Sequence, residues 1–191
     1  NIAWFDWGVG ELLDSLRKER VLDNTLIVYI NDNGWEQPGD VEYADNHITF
    51  ANGGPRGKGS FFETGFRTPI VFYWRGEIIP MRNTTILTSA LDVMPTILDY
   101  AGVDSPDGLP GYSLRPAINV ETVSDARDYF IGRLTQHRAG TNFRGEPDDF
   151  TDDHMGAARS GYYRRDLNWH FVWIEDTDET ALYDLINDPG Q

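Results

Sequence analysis

Cysteine is absent from the sequence, and so are long hydrophobic runs. Without a thiol the chain can form no disulfide, no thiolate metal site and no cysteine nucleophile. The longest apolar stretches, such as residues 26–30 and 70–74, are far shorter than the about 20 residues that a membrane-spanning helix needs. The sequence therefore predicts neither a disulfide framework nor a membrane partner.

Basic residues are scarce relative to acidic ones. The chain has 16 Lys and Arg against 31 Asp and Glu, and its formal net charge is −15 at pH 7. A field of this sign repels the phosphate backbone of nucleic acids, so we expect no nucleic-acid partner. Two interpretations of the charge stay open, a solvated acidic surface and a cluster of carboxylates that holds a hard cation.

The first half of the sequence alternates between helical and strand-like segments. In residues 2–16 apolar side chains recur at offsets of three and four, which predicts an amphipathic helix. Residues 26–30 and 69–74 are continuous apolar runs, typical of strands buried on both faces of a parallel sheet. A further helix is expected over residues 89–101, with Pro95 in its first turn. This order predicts part of an α/β sandwich.

After residue 116 the pattern changes to short aromatic or alternating runs. Strands are expected at residues 129–134, 157–164, 168–175 and 181–185, with a hairpin turn at residues 165–167. His170 alternates with Trp169 and Phe171, which predicts a place on a sheet face. We therefore expect an α/β domain over residues 1–115 and a small antiparallel β-sheet subdomain over residues 116–191.

One polar constellation follows the strand predicted at residues 26–30. The sequence Asn31-Asp32-Asn33-Gly34 stands at the carboxyl end of this strand, where ligands collect in α/β sheets. Asp32 and Asn33 offer a carboxylate oxygen and an amide oxygen, both of which suit Ca²⁺ or Mg²⁺. The alternative is an ordinary turn that ends a strand.

A second constellation surrounds Lys58, which lies between Gly57 and Gly59. A flexible cation with close backbone access suits an oxyanion such as sulfate or phosphate. The segment is not a Walker A loop, because its upstream glycine spacing is wrong and no strand immediately precedes it. Glu63 and Arg67 are four residues apart, and the plainest interpretation is that they pair with each other.

Together these constellations resemble the sulfatase family of the alkaline phosphatase-like superfamily. A strand ending in Asp-Asn-Gly is followed by a long loop and by Lys-Gly-Ser-x-x-Glu-x-Gly-x-Arg-x-Pro at residues 58–69. Further landmarks follow in the family's order at residues 91–98, 101–102, 111–114 and 182–189. The resemblance implies the C-terminal portion of a sulfatase, in which the end of the catalytic α/β domain precedes a small antiparallel domain.

The resemblance also implies roles for individual residues. Asp32 and Asn33 would be two ligands of a divalent cation, Ca²⁺ with Mg²⁺ as the alternative. Lys58 would be the catalytic residue that contacts the sulfate and the leaving oxygen. His47, in the loop between the two motifs, is a further candidate for substrate binding, with a surface position as the alternative. The expected partner of the complete enzyme is a sulfated small molecule or glycan.

The nucleophile of the family is missing from this sequence. Sulfatases use a formylglycine made from Cys or Ser in a Cys/Ser-x-Pro-x-Arg motif, and no serine here has that context. Ser160 has Arg164 four residues on, but Tyr162 stands where the proline is needed. The other metal carboxylates and the formylglycine are expected in an N-terminal half. We therefore expect a piece of a longer protein, cut at both ends and inactive alone.

Two alternatives to this interpretation stay open. A phosphatase or phosphonate-ester hydrolase of the same superfamily would use a similar metal and lysine on another oxyanion. A non-catalytic acidic protein that reuses half of the fold would need to cover an open sheet edge and apolar faces. A homo-oligomer would provide that cover.

Overall fold

The computed structural model describes residues 2–34, 61–121, 123, 126–134, 160–175 and 178–187. Its helices are α1 (Ile2–Lys18), α2 (Glu63–Phe66), α3 (Val93–Ala101) and α4 (Arg115–Ile118), with 3₁₀ turns at Leu22–Asn24 and Ala90–Asp92. Its strands are β1 (Ile27–Ile30), β2 (Ile70–Tyr73), β3 (Phe130–Leu134), β4 (Gly161–Arg165), β5 (Trp169–Ile174) and β6 (Glu179–Asp184). Within these ranges no helix combines the length and the apolar character needed to cross a membrane.

The chain divides into two compact units. The first comprises residues 1–30, 69–84 and 88–126, and the second comprises residues 31–68, 85–87 and 127–191. The polar turn that follows β1 and the helix α2 therefore belong to the same unit as the C-terminal strands. The predicted domain boundary after residue 115 stays a prediction.

The two strands of the first unit form an antiparallel pair. Ile27 of β1 lies opposite Tyr73 of β2, and Ile30 lies opposite Ile70. The predicted parallel arrangement is therefore wrong for this pair, and Tyr29 is exposed rather than buried. The physical reason is that a continuous apolar run indicates burial of a strand within a sheet. It does not indicate whether the strand runs parallel or antiparallel to its neighbour.

The helix α1 presents most of its apolar side chains to solvent. Among its described residues none is buried, and Trp4 and Trp7 are 73% and 59% exposed. The two indole rings meet edge to face with their centroids 5.8 Å apart. Phe5 reaches Tyr29 of β1 at a centroid distance of 5.4 Å. The predicted helix is thus confirmed, and its apolar face is largely open.

The helix α3 follows directly on the 3₁₀ turn Ala90–Asp92, which begins at a capping box, and α3 ends at a glycine. The Asp92 carboxylate accepts from the Ser89 N–H at 2.7 Å, and the Ser89 hydroxyl accepts from the Leu91 N–H. Asp92 is fully buried and also accepts from the Tyr112 N–H at 3.1 Å. Gly102 ends the helix at a φ of 68°. The helix that the sequence predicted is therefore confirmed.

Asp99 connects α3 to the start of α4. Its carboxylate accepts from the Ser113 hydroxyl at 2.6 Å and from the Arg115 guanidinium at 2.9 Å. The bond from Ser113, aided by Arg115, outweighs burial and holds the pKa of Asp99 below its usual value of 3.8. Arg115 also lies over the Tyr100 ring, 5.0 Å from its centroid.

The second unit contains a four-stranded antiparallel sheet with the strand order β3-β4-β5-β6. Neighbours in sequence are neighbours in space, and Arg165 lies opposite His170 across the turn between β4 and β5. Asp166 stabilises this turn by accepting from the N–H groups of Asn168 and Trp169. The predicted antiparallel sheet is confirmed, with small shifts at the strand ends.

His170 lies in an aromatic cluster on one face of this sheet. Its side chain is fully buried, and its ring centroid is 5.6 Å from those of Phe66 and Tyr163 and 6.0 Å from that of Tyr183. The predicted sheet-face position of His170 is therefore confirmed.

Candidate functional site

Asp32 and Asn33 lie in the turn that follows β1. The Asp32 side chain is exposed and the Asn33 side chain is half-buried. The Asn33 amide nitrogen donates to the Gly34 carbonyl at 2.8 Å. The amide nitrogen is only a donor, so the amide oxygen is the atom that a cation would bind. The turn therefore offers a carboxylate oxygen and an amide oxygen on adjacent residues.

This donor set fits part of the coordination shell of Ca²⁺ or Mg²⁺. Both ions prefer oxygen ligands, about six to eight for Ca²⁺ and about six for Mg²⁺. Among the described residues, no group of three or more His, Cys, Asp or Glu side chains could hold a metal ion. Asp32 and Asn33 therefore fit such an ion as two members of a larger ligand set.

The helix α2 is hydrogen-bonded to this turn. The Gly34 N–H donates to the Gly65 carbonyl at 3.0 Å, and within α2 the Arg67 N–H donates to the Glu63 carbonyl at 2.8 Å. The Asp-Asn-Gly motif and the segment that follows Lys58 in sequence are thus joined through backbone groups.

Glu63, the first residue of α2, is almost fully buried at 3% exposure. The Arg165 Nε donates to one of its carboxylate oxygens at 2.8 Å, and Nη2 donates to the other at 3.0 Å. Arg67 is more distant, with its Nη1 3.9 Å from the Glu63 Oε2 and 62% of its side chain exposed. The predicted Glu63–Arg67 pair is present, but Arg165 is the main partner of Glu63.

Aromatic side chains of the same segment pack on the four-stranded sheet. The Phe66 ring stacks on Tyr163 of β4 with centroids 4.6 Å apart, and Phe62 meets Tyr183 of β6 at 5.8 Å. Burial, and after it the charge of Glu63, raises the pKa of Tyr163 above its usual value of 10.0. The helix α2 is therefore anchored to the sheet by both apolar and charged contacts.

Two of the four predicted site residues lie outside the described residues. Lys58 and His47 fall between residues 35 and 60, so their roles stay predictions. Asp32 and Asn33 are described, and the bond from Gly34 connects their turn to α2. Lys58 precedes the first residue of α2, Glu63, by five positions in the sequence.

Arg165 carries no recognisable functional signal in the sequence. It stands 102 residues from Glu63, whereas Arg67 offers Glu63 a partner at helical spacing. Its neighbour Asp166 marks a turn, and the turn is indeed present. Only the folded arrangement of α2 on β4 brings the Glu63 and Arg165 side chains together.

Comparison with protein families gives two overlapping matches. Residues 1–103 match the Sulfatase family model. Residues 57–191 match the model for the C-terminal region of N-sulphoglucosamine sulphohydrolase. Because the first match alone covers more than half of the 191 residues, the chain belongs to the sulfatase family.

Curated relatives extend well beyond the matched region. An arylsulfatase of Clostridium perfringens is 27% identical over 194 residues, which cover 100% of this chain and 33% of the relative. An N-acetylglucosamine-6-O-sulfatase of Bacteroides thetaiotaomicron is 28% identical over 189 residues, 97% of this chain and 29% of the relative. The chain therefore spans about a third of the length of these relatives.

Solved structures confirm the fold class. A protein solved in complex with its substrate, D-glucosamine-2-N,6-O-disulfate, matches with a TM-score of 0.71 and 25% identity, over 98% of this chain and 33% of that one. A phosphonate monoester hydrolase from Silicibacter pomeroyi matches with a TM-score of 0.66 and 25% identity, over 94% and 32%. The chain thus has the predicted alkaline phosphatase-like α/β fold with a C-terminal antiparallel sheet.

Proposed function

We propose that this chain is the C-terminal part of a sulfatase that hydrolyses sulfate esters. The observation that carries the proposal is the Sulfatase family match over residues 1–103, which includes Asp32, Asn33 and Lys58. In the reaction the bond between sulfur and the ester oxygen breaks, water supplies the incoming oxygen, and an alcohol and sulfate are released. The chain's residues bind the sulfate group and balance its negative charge.

Asp32 and Asn33 are the proposed cation ligands. Support comes from the exposed carboxylate, from the amide oxygen left for coordination, and from their place directly after β1. A bound Ca²⁺ or Mg²⁺ supplies positive charge that polarises the sulfate ester. Asp32 and Asn33 contribute by fixing two of the ligand oxygens.

Lys58 is the proposed sulfate-binding and catalytic residue. Its ammonium group would donate to a sulfate oxygen and stabilise the negative charge that develops on the leaving oxygen. The support is its place between two glycines in the family motif at residues 58–69. His47 is proposed as a second substrate contact from the same loop.

The proposed substrate class is a sulfated carbohydrate. One curated relative is named as an N-acetylglucosamine-6-O-sulfatase, and one structural neighbour was solved with D-glucosamine-2-N,6-O-disulfate. Each name applies to that protein, and the shared sugar chemistry supports testing glucosamine sulfates first. An aryl sulfate serves as the general reporter of sulfatase activity.

We expect no turnover by the 191-residue chain alone, because it lacks cysteine and has no serine in the Cys/Ser-x-Pro-x-Arg context. The experiment compares this chain, its Lys58→Ala variant and the product of the complete reading frame on p-nitrophenyl sulfate and glucosamine 6-O-sulfate. The complete protein should hydrolyse sulfate esters and lose about 10²–10³-fold in kcat on Lys58→Ala. Hydrolysis by the isolated chain above its Lys58→Ala variant would refute its inactivity. A complete protein without sulfate-ester activity would overturn the sulfatase proposal.

A phosphonate-ester hydrolase is the second candidate, favoured by the match to the Silicibacter pomeroyi enzyme at a TM-score of 0.66. Both oxyanions present negatively charged oxygens to a cation and a lysine, so Asp32, Asn33 and Lys58 would serve either reaction. The ratio of kcat/KM for an aryl sulfate to that for an aryl phosphonate ester decides between them. A ratio below one would favour the phosphonate reaction.

A non-catalytic half-fold protein is the third candidate, favoured by the exposed apolar face of α1. Such a protein would cover Trp4 and Trp7 by self-association. Sedimentation velocity of the isolated chain and of its Trp4→Gln/Trp7→Gln variant measures this. A dimer that the double variant converts to a monomer would support this candidate, and a monomeric wild-type chain would count against it.

A further inference from the structure

We propose that Glu63 and Arg165 are positioning residues that hold the Asp32–Asn33 turn in its orientation. The proposal rests on the proposed function, because that turn is the proposed cation site. Glu63 and Arg165 act through α2, whose Gly65 carbonyl accepts the Gly34 N–H at 3.0 Å.

Arg165 provides a rigid point of attachment on the four-stranded sheet. It ends β4, which pairs with β3 on one side and with β5 on the other, so its backbone is held from both sides. Its Nε and Nη2 bond separate oxygens of Glu63, at 2.8 and 3.0 Å. Two parallel bonds fix direction as well as distance. The side chains of Arg165 and Glu63 are only 15% and 4% exposed, so solvent screens the pair weakly.

The helix α2 depends on such attachments, because it has only four residues. A single turn of helix is unstable on its own, since nucleation fixes several residues for one hydrogen bond. Phe62 and Phe66 supply apolar contacts with Tyr183 and Tyr163. Apolar contacts allow sliding, whereas the Glu63–Arg165 pair sets the register of α2 on the sheet.

The position of α2 affects the Asp32–Asn33 turn through the hydrogen bond of Gly34. Its N–H is held by the Gly65 carbonyl, and its own carbonyl accepts from the Asn33 amide nitrogen at 2.8 Å. A shift of α2 would therefore move Gly34 and rotate the Asn33 amide with it. In this way an arginine on a distant strand controls where the proposed ligand oxygen points.

The test measures amide hydrogen exchange of Gly34 by NMR in the 191-residue chain. We compare wild type with Arg165→Met, Arg165→Lys, and the double variant Glu63→Gln/Arg165→Met, using the Val172 amide on β5 as an internal reference for global opening. Arg164→Met is the matched control, because Arg164 neighbours Arg165 but is itself 48% exposed and bonds the turn residue Asp166, not Glu63, at 3.0 Å.

Arg165→Met should accelerate Gly34 exchange by at least about tenfold relative to Val172, because the Gly34 bond opens locally. Arg165→Lys keeps the positive charge but cannot make the two parallel bonds to Glu63, so it should give a smaller increase in the exchange rate of Gly34. Arg164→Met should give no increase. In the double variant the buried charge is gone, so Val172 protection should recover while Gly34 stays fast. The proposal would be overturned if the Gly34 and Val172 amides both regained their protection in the double variant. It would also be overturned if Arg165→Lys accelerated exchange equally at both amides, because either result would mean a purely structural role.

A calcium titration of the product of the complete reading frame, which supplies the remaining ligands of the proposed site, separates this inference from the proposed function. Ca²⁺ alone is added while the Gly34 and Asn33 amide shifts are recorded. Saturable shifts that need more Ca²⁺ in Arg165→Lys than in Arg164→Met support both claims. Absence of any shift in wild type would count against the cation site, whereas the exchange data would still decide whether Glu63 and Arg165 position the turn.

Discussion

Glu63 and Arg165 are bonded through both carboxylate oxygens although 102 residues separate them in the sequence. One residue opens a four-residue helix and the other ends a strand of the C-terminal sheet. Breaking a buried pair on one side costs more than the pair contributes, because the remaining charge stays desolvated. The family motif and the C-terminal sheet are therefore energetically coupled within the second unit.

The first prediction concerns this pair. Arg165→Met should lower the free energy of unfolding by about 3 kcal/mol, because Glu63 is left buried without its main partner. Arg164→Met should cost only about 1 kcal/mol, since the Arg164 side chain is 48% exposed where it pairs with Asp166 and lies over the Tyr129 ring. Urea unfolding followed by circular dichroism measures both variants. An equal decrease in the free energy of unfolding for the two variants would show that the buried Glu63–Arg165 pair stabilises the fold no more than the Arg164–Asp166 pair.

The second prediction concerns Gly111, which has a φ of 93°. A Cβ there would lie 2.3 Å from the Leu91 carbonyl oxygen and 2.9 Å from the Asp92 Oδ1, next to the bond that Asp92 accepts from Tyr112. Gly111→Ala should therefore lower the free energy of unfolding by more than about 2 kcal/mol, the sum of backbone strain and steric overlap.

Gly108 is the matched control for Gly111. It has a φ of 75°, but an added Cβ would meet nothing within 4 Å. Gly108→Ala should cost only the backbone term, about 1 kcal/mol. Thermal unfolding measures the destabilisation by each variant. The difference between Gly111→Ala and Gly108→Ala gives the contribution of steric overlap at residue 111. A difference near zero would contradict the tight approach of residue 111 to the 3₁₀ turn.

The third prediction concerns alkaline pH. Burial and the charge of Glu63 raise the folded-state pKa of Tyr163 above 10.0. Above pH 10 the unfolded chain therefore loses the tyrosine proton while the folded chain retains it, and the free energy of unfolding falls as pH rises through the folded-state pKa. At pH values well below the usual tyrosine pKa the contribution is fully present.

Tyr163→Phe removes this contribution without removing the ring that stacks on Phe66. We expect the difference in unfolding free energy between wild type and Tyr163→Phe to be constant from about pH 7 to about pH 9.5 and to shift against wild type at higher pH. Urea titrations at a series of pH values measure it. A difference that stays constant up to about pH 11 would contradict the raised pKa.

The fourth prediction concerns the cation. In the product of the complete reading frame, Asp32→Asn should weaken Ca²⁺ binding by at least about tenfold, because one negative ligand charge is lost. Isothermal titration calorimetry measures the affinity directly. Asp14→Asn is the control, since Asp14 lies exposed on α1 and pairs with Arg17. Unchanged affinity in Asp32→Asn would exclude Asp32 as a ligand.

Local signals account for the parts of the fold that the sequence predicted well. Ser89 and Asp92 cap the 3₁₀ turn that leads into the helix α3, and Gly102 ends the helix. The strands β4 and β5 are joined by the turn at Asp166, whose carboxylate accepts from two N–H groups close by in the sequence. Such features depend on residues a few positions apart and can be predicted from them.

Features that depend on distant residues could not be predicted from the sequence. The direction of β1 relative to β2 is one example, because Ile30 and its partner Ile70 are far apart in the chain and neither run carries a pairing signal. The partner of Glu63 is another example. Arg67 has the spacing of four residues at which helical side chains pair, but Arg165 makes the shorter bonds to Glu63.

The candidate cation site combines both kinds of information. The place of Asp32 and Asn33 after a predicted strand and the resemblance to a family already indicate a cation site. Their connection to α2 through Gly34 required the three-dimensional structure, because no sequence signal links Gly34 to Gly65.

The bond between Glu63 of α2 and Arg165 of β4 also limits how this chain can be recombined with other sulfatases. A chimera that takes its C-terminal strands from another sulfatase inherits whichever side chain stands at the position of Arg165. If that side chain cannot bond Glu63, the graft leaves a buried carboxylate without its main partner in the helix that is bonded to the Asp32–Asn33 turn. Residues 63 and 165 should therefore be taken from the same parent sequence. Crossover points in hybrids, engineered or natural, are expected to leave both residues in segments from one parent.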